Sequence, residues 1–188
     1  FHPLGLLNWE EGGRSREIIR STLETMEKRG PQWWTGYSYA WFANMKARTF
    51  DGEGAYQALR TFAECFCLPN TFHVNGDQSG TGKSNYTYRP FTLEGNFAFA
   101  AGVQEMLLQS HTDTLRIFPA IPGDWKDVSF ENLRAQGAFL VSAERKDGKV
   151  VSVKIESERG KDLLLISPFD GELIRRKTKV GERIMLEK

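Results

Sequence analysis

Three stretches of the sequence carry side chains able to do chemistry, and each has a plainer alternative. Glu94 stands immediately before Gly95, between Phe91 and Phe97, at the start of an apolar run. A carboxylate among aromatic rings is costly to bury unless it faces a cleft or accepts bonds from donors. A cleft carboxylate is the setting of a general base. The alternative is a helix cap, since an acid in the first turn gains roughly 0.3–1 kcal/mol from the helix dipole. The second stretch, Trp33-Trp34-Thr35-Gly36-Tyr37-Ser38-Tyr39-Ala40-Trp41, crowds rings on both sides of a helix start, so they cannot all share one core-facing stripe. Rings with polar tips suit a sugar, whose C–H faces stack on them while its hydroxyls bond the rim; core packing accounts for the rest. The third, residues 76–84, reads G-D-Q-S-G-T-G-K-S and imitates the phosphate loop G-x-x-x-x-G-K-[ST]. Counted back from Gly82, the first glycine falls on Asp77, and the residues after Ser84 open no helix whose amides would hold a phosphate.

Other chemistries find less support. His2, His73 and His111 lie far apart, none beside a second ligand at metal spacing, and no G-x-S-x-G elbow supports a serine nucleophile. Neither a metal nor a cofactor is expected. With 25 basic and 24 acidic side chains the net charge is +1, which offers a polyphosphate partner no attraction, so nucleic acid is not expected. No run approaches the roughly 18 apolar residues of a membrane span, and no leader is visible. The chain begins at Phe1, as a processed or partial product would. Cys65 and Cys67 are two apart in a predicted helix, where they diverge.

The elements that must position these residues divide the chain in two. Of the five Trp, five Tyr and thirteen Phe, only Phe118, Trp125, Phe130, Phe139 and Phe169 follow Phe99. Apolar spacing of three and four predicts helices over 15–29, stopped by Gly30-Pro31; 35–48, capped by Thr35 and ended by Asp51-Gly52; 54–67, broken by Pro69; and 96–110. The second and fourth are too apolar for a free surface, the fourth being expected to bury more than one side, which implies an arc of a larger helical assembly. Residues 70–93 show no sustained period, and a loop that long is usually functional or disordered; Tyr86, Tyr88 and Phe91 argue against disorder. After His111 the period becomes two. About six strands are expected, with a hairpin turn at Lys146-Asp147-Gly148-Lys149. Helices followed by strands imply separate domains, mainly α over 1–111 and all-β over 112–188, the latter an antiparallel sheet or sandwich.

Five segments resemble one family. Thr35-Gly36-Tyr37-Ser38-Tyr39-Ala40-Trp41 matches its T-G-W-S-x-A-W helix start, and Tyr88-Arg89-Pro90-Phe91-Thr92-Leu93-Glu94-Gly95-Asn96-Phe97-Ala98 its H-P-P-F-Q-I-D-G-N-F-G. Gly102-Val103-Gln104-Glu105-Met106-Leu107-Leu108-Gln109-Ser110-His111 matches G-I-x-E-M-L-L-Q-S-H. Phe118-Pro119-Ala120-Ile121-Pro122 with Trp125 matches L-P-A-L-P-x-x-W, and Leu133-Arg134-Ala135-Gln136-Gly137 matches L-R-A-R-G. From about His2 to Ser157 the chain resembles glycoside hydrolase family 95, the inverting α-L-fucosidase family.

The resemblance implies the last helices of an (α/α)6 toroid followed by an antiparallel β-sandwich domain. It implies a glycan substrate, hydrolysis with inversion of an α-linked L-fucose or related L-sugar, and a periplasmic or extracellular location. Inversion needs an acid and a base about 6.5–9.5 Å apart. The family's base, an Asp, falls on Glu94, and its acid, a Glu earlier in the toroid, falls on nothing in this chain, which by itself is expected to be inactive. Asn96 is then a supporting polar contact, and Tyr88, Arg89, Trp34 and His73 are rim or pocket contacts. Two positions depart from the pattern, Glu94 for the Asp and Tyr88 for the His six residues before it, and residues 75–85 lengthen a loop beside the site. A glycan-binding relative without activity and a purely structural one are the alternatives.

Overall fold

The computed structural model describes residues 1–187. They fall into two compact units, Phe1–Glu105 and the described residues from Met106 onward.

In the first unit, α1 spans Gly13–Arg29 and buries Ile19 and Leu23. It stops where the Gly30 N–H donates to the carbonyls of both Met26 and Glu27, with Lys28 and Arg29 in the last turn, where cations favour the dipole. α2, Gly36–Ala47, starts at Thr35, whose N–H donates to Ser38 Oγ at 3.3 Å. Tyr39, Ala40, Phe42, Ala43, Asn44 and Met45 are all buried, and of the helix's residues only Tyr37 is exposed. It ends at Ala47, before the expected Asp51-Gly52 stop. Asp51 instead caps α3, Gly52–Phe66, accepting from Gly54 N–H at 2.8 Å. α3 turns Ala55, Ala58, Leu59, Phe62 and Phe66 inward.

α4 covers Glu94–Leu107 and corrects the expected helix at both ends and on its outer face. It begins two residues earlier, and it stops because Leu108 and Gln109 leave the helix to pair with Ile117 and Arg116. The expected burial on more than one side is not seen within this chain: Phe97 is 69% exposed, and Ala100 and Gln104 continue the open face at helical spacing.

The second unit is all β. β1 Leu108–Gln109, β2 Leu115–Ile117, β6 Leu163–Ile166 and β7 Leu173–Arg176 form one sheet in the order β1-β2-β6-β7; β3 Val128–Ala135, β4 Phe139–Lys146, β5 Lys149–Ser157 and β8 Glu182–Glu187 form another in the order β3-β4-β5-β8. Pairing is antiparallel except between β2 and β6, which run parallel. The β4–β5 hairpin turns at Asp147 and Gly148, with φ of 49° and 76°, the double left-handed turn that Asp-Gly favours. Alternate residues Phe139, Val141 and Ala143 of β4 and Val153 and Ile155 of β5 point into one core, shared with Leu115, Leu163 and Leu165 of the first sheet. No helix among the described residues is long and apolar enough to cross a membrane.

Candidate active site

Residues 70–93 are ordered by hydrogen bonds rather than by periodicity. They double back as a ribbon in which Asn75 N–H donates to Pro90 O, Gly76 N–H to Tyr88 O and Asp77 N–H to Tyr86 O, at 2.7–3.1 Å. The inner segment is moored to the helices as well: Val74 N–H donates to Phe66 O, Gln78 N–H to Cys65 O, and Gly36 N–H to Asn75 O. The ribbon therefore carries Tyr86, Tyr88 and Arg89 on its outer segment and delivers the chain to α4 at Glu94.

Its tip explains the phosphate-loop mimicry. The amides of a glycine-rich turn do converge on an anion, but the anion is the chain's own Asp77. That carboxylate accepts from Ser79 N–H at 2.8 Å, Ser79 Oγ at 2.6 Å and Lys83 N–H at 2.7 Å. Burial pushes the Asp77 carboxyl up, and the bonds from Ser79, Lys83 and Ser84 more than offset this, leaving its pKa below the usual value. Tyr39 then ties the tip to α2, its hydroxyl donating to Lys83 O at 2.8 Å. A phosphate would have to displace a satisfied carboxylate.

Glu94 is exposed at the first position of α4. Apolar side chains surround it in sequence and remain open to solvent: Phe91 is 50% exposed, and Leu93 and Phe97 are exposed too. Directly behind this segment lies His73, fully buried. Its Nδ1 is 2.9 Å from Thr92 O and 2.9 Å from Thr92 Oγ1. A carbonyl only accepts, so Nδ1 carries the proton. Nε2 has no hydrogen-bond partner among the described residues. Burial pulls the His73 pKa down, against the Thr92 bond and the Glu94 charge, which push it up; the ring is neutral at pH 7. His73 is thus not a surface contact in this structure. It stacks on Phe62 at 5.1 Å and 25°.

Two glycines make room for that ring. A Cβ on Gly36, at the start of α2, would lie 2.4 Å from Nε2, and a Cβ on Gly95, at the start of α4, 2.4 Å from Nδ1. Only a residue without a side chain lets both helix ends approach the imidazole this closely. Asn96 is likewise engaged inward. Its Oδ1 accepts from His73 N–H at 3.0 Å and its Nδ2 donates to Thr71 O at 2.9 Å, so both ends of the amide hold the ribbon to α4.

The other expected residues divide. Tyr88 is 46% exposed and meets Tyr86 edge-on at 5.5 Å, as Tyr86 meets the exposed Trp33 at 5.4 Å. Arg89 is exposed beside Tyr88. Trp34 belongs elsewhere: it packs edge-on against Tyr39 and Phe42 and lines a pocket of about 350 Å3 with Met26, Pro31, Lys46 and Thr61. Ribbon and α4 start bring together His73, Thr92, Glu94 and Asn96, with Tyr88 and Arg89 on the same ribbon. The glycine clamp and Thr92 were not expected; the T-L-E-G-N run held both Gly95 and Thr92, but nothing local marks their partner. Among the described residues no group of three or more His, Cys, Asp or Glu could hold a metal ion.

Comparison with known proteins bears on this arrangement directly. The model of the glycosyl hydrolase family 95 catalytic domain matches residues 1–107, and that of the glycoside hydrolase family 95 C-terminal domain matches residues 109–184. The chain belongs to glycoside hydrolase family 95. It is also 34% identical over 148 residues to α-L-fucosidase 2 of Arabidopsis thaliana, an alignment covering 78% of this chain and 17% of that protein. Within the family 95 chain, the ribbon, Glu94 and the His73 clamp all lie in the part matched by the catalytic-domain model, and β2 to β7 in the part matched by the C-terminal one.

Proposed function

We propose that the full-length protein hydrolyses an α-linked L-fucoside or a related L-sugar with inversion, and that Glu94 is its general base. The single observation that carries this is a solvent-open carboxylate at the first position of α4, at the place of the family's base, on a segment anchored on both sides. As base, Glu94 takes a proton from a water whose oxygen attacks the anomeric carbon opposite the leaving group. An acid supplied by a part of the protein outside this chain gives its proton to the departing oxygen. The (α/α)6 toroid and the β-sandwich belong to the same reading, the sandwich supported by two sheets that share one core. Tyr88 and Arg89 form part of the sugar's rim; His73 and Asn96 act behind it. Glycan substrates put the protein in the periplasm or outside the cell. This chain alone is inactive.

The test is Glu94→Gln in the full-length protein, assayed on α-L-fucosyl and α-L-galactosyl substrates. Removing a general base costs about 10²–10⁴-fold in rate. Undiminished turnover means that Glu94 is not the base. A second reading, a glycan-binding relative without activity, is favoured by the two departures at Glu94 and Tyr88; it predicts glycan binding with no turnover in the parent protein.

A further inference from the structure

The segment carrying Glu94 is held from behind by one buried residue, through its ring on one bond and its backbone on two. His73 bonds to residues on both sides of Glu94. Its Nδ1–H donates to Thr92 O, its carbonyl accepts from Thr92 N–H at 3.3 Å, and its own N–H donates to Asn96 Oδ1. Between these anchors its ring face lies against Gly95, and its far edge against Gly36. Packing alone does not account for an imidazole here, because its buried Nε2 finds no partner among the described residues and an apolar ring would avoid that cost. What the imidazole supplies beyond shape is the donor that faces Thr92.

We infer that His73 is a positioning residue for Glu94: its ring and carbonyl fix the Thr92 backbone two residues before the carboxylate, its N–H holds the Asn96 side chain two residues after, and together they set where the base points. This rests on the reading of Glu94 as base. A general base works only within hydrogen-bond reach of its water, and a displacement near 1 Å costs on the order of a hundredfold.

The test compares His73→Leu with His73→Asn in the full-length protein, on an aryl α-L-fucoside, with rates corrected for folded fraction. Asn keeps an Nδ donor close to the site of Nδ1; Leu keeps neither nitrogen. His73→Leu is expected to lower kcat about a hundredfold with KM within about threefold, and His73→Asn to recover about tenfold or more of that loss. Crystal structures of the pair should show Glu94 displaced in the Leu variant and restored in the Asn variant. Should His73→Leu not fold, His73→Gln carries its amide donor out to the Nε2 position and leaves Thr92 O without the Nδ1 donor, and the same kcat-specific loss is expected. Unchanged kcat in whichever variant folds, or equal losses in the Leu and Asn variants, overturns the positioning role. Glu94→Gln run in parallel separates the two claims. Its inactivity beside an unimpaired His73→Leu leaves Glu94 as base and removes His73, whereas its full activity overturns both.

Discussion

Adding one methyl group to Gly95 measures how tightly the start of α4 is built. The new Cβ would fall 2.4 Å from His73 Nδ1, 2.6 Å from Cγ and 2.7 Å from Cε1, where ordinary contacts are about 3.5–4.0 Å. Ring or helix must therefore retreat by about 1 Å. The ring cannot, since Gly36 closes its other edge and Phe62 stacks on its face. Overpacking of this kind costs about 1–3 kcal/mol, here at the upper end, and the helix preference of alanine over glycine returns at most about 1 kcal/mol. A net loss of about 2 kcal/mol follows for Gly95→Ala. Gly102→Ala is the control on the same helix: its nearest neighbour is the flexible end of Leu59 at 3.1 Å, and its stability should stay within about 1 kcal/mol of the parent. The assay is the urea unfolding free energy of Gly95→Ala, His73→Ala and the double variant. If the clash is with the ring, the double variant recovers it, with a coupling of about 2 kcal/mol. Parent-like stability of Gly95→Ala, or additivity of the two changes, refutes the clamp.

The remaining predictions concern the loop tip and the thiols. Asp77→Asn should lose about 1–3 kcal/mol and make the Ser79 to Lys83 segment the first site of limited proteolysis. The folded pKa of Asp77 lies below its unfolded value of about 3.9, so its contribution is complete above that value and is lost as pH falls through the folded pKa. Melting temperatures between pH 2 and 5 should therefore fall more steeply for the parent than for Asp77→Asn; parallel curves would contradict the carboxylate-centred loop. Burial pushes the Cys67 thiol up to about 11, and Cys65 is buried. Labelling at pH 7.5 with a thiol reagent should be about 300-fold slower in the folded protein than in urea, from the thiolate fraction alone. Comparable rates would place Cys67 at the surface.

Local chemistry accounts for what could be read along the chain. Spacing located all four helices, because residues three and four apart share a face, as Ile19 and Leu23 of α1 and Ala55, Leu59, Phe62 and Phe66 of α3 do. Thr35 and the Asp-Gly of the β4–β5 turn marked their places by bonds and backbone angles that involve only near neighbours. Legibility failed where a partner lies far away in sequence. Leu108 and Gln109 look helical until Ile117 and Arg116 pair with them. β3 shows no sustained alternation along the sequence, because the register shift between Phe130 and Leu133, with Asn132 at φ 55°, changes which residues face the core. Asp51 looked like a stop and is a start, since its carboxylate turns to the amide of Gly54.

The same division runs through the candidate site. From sequence alone came the place of Glu94 at a helix start and the motifs that carry the family resemblance, both of them properties of short contiguous runs. Whether a neighbouring polar residue faces solvent or interior is settled by which distant atoms approach it. Asn96, expected as a supporting polar contact, turns to Thr71 O and His73 N–H, and His73, expected at the rim or in the pocket, turns inward because Thr92 and two glycines 59 residues apart in the chain, Gly36 and Gly95, meet around its imidazole. No local pattern encodes that meeting; it exists only once α2, α3 and α4 have packed.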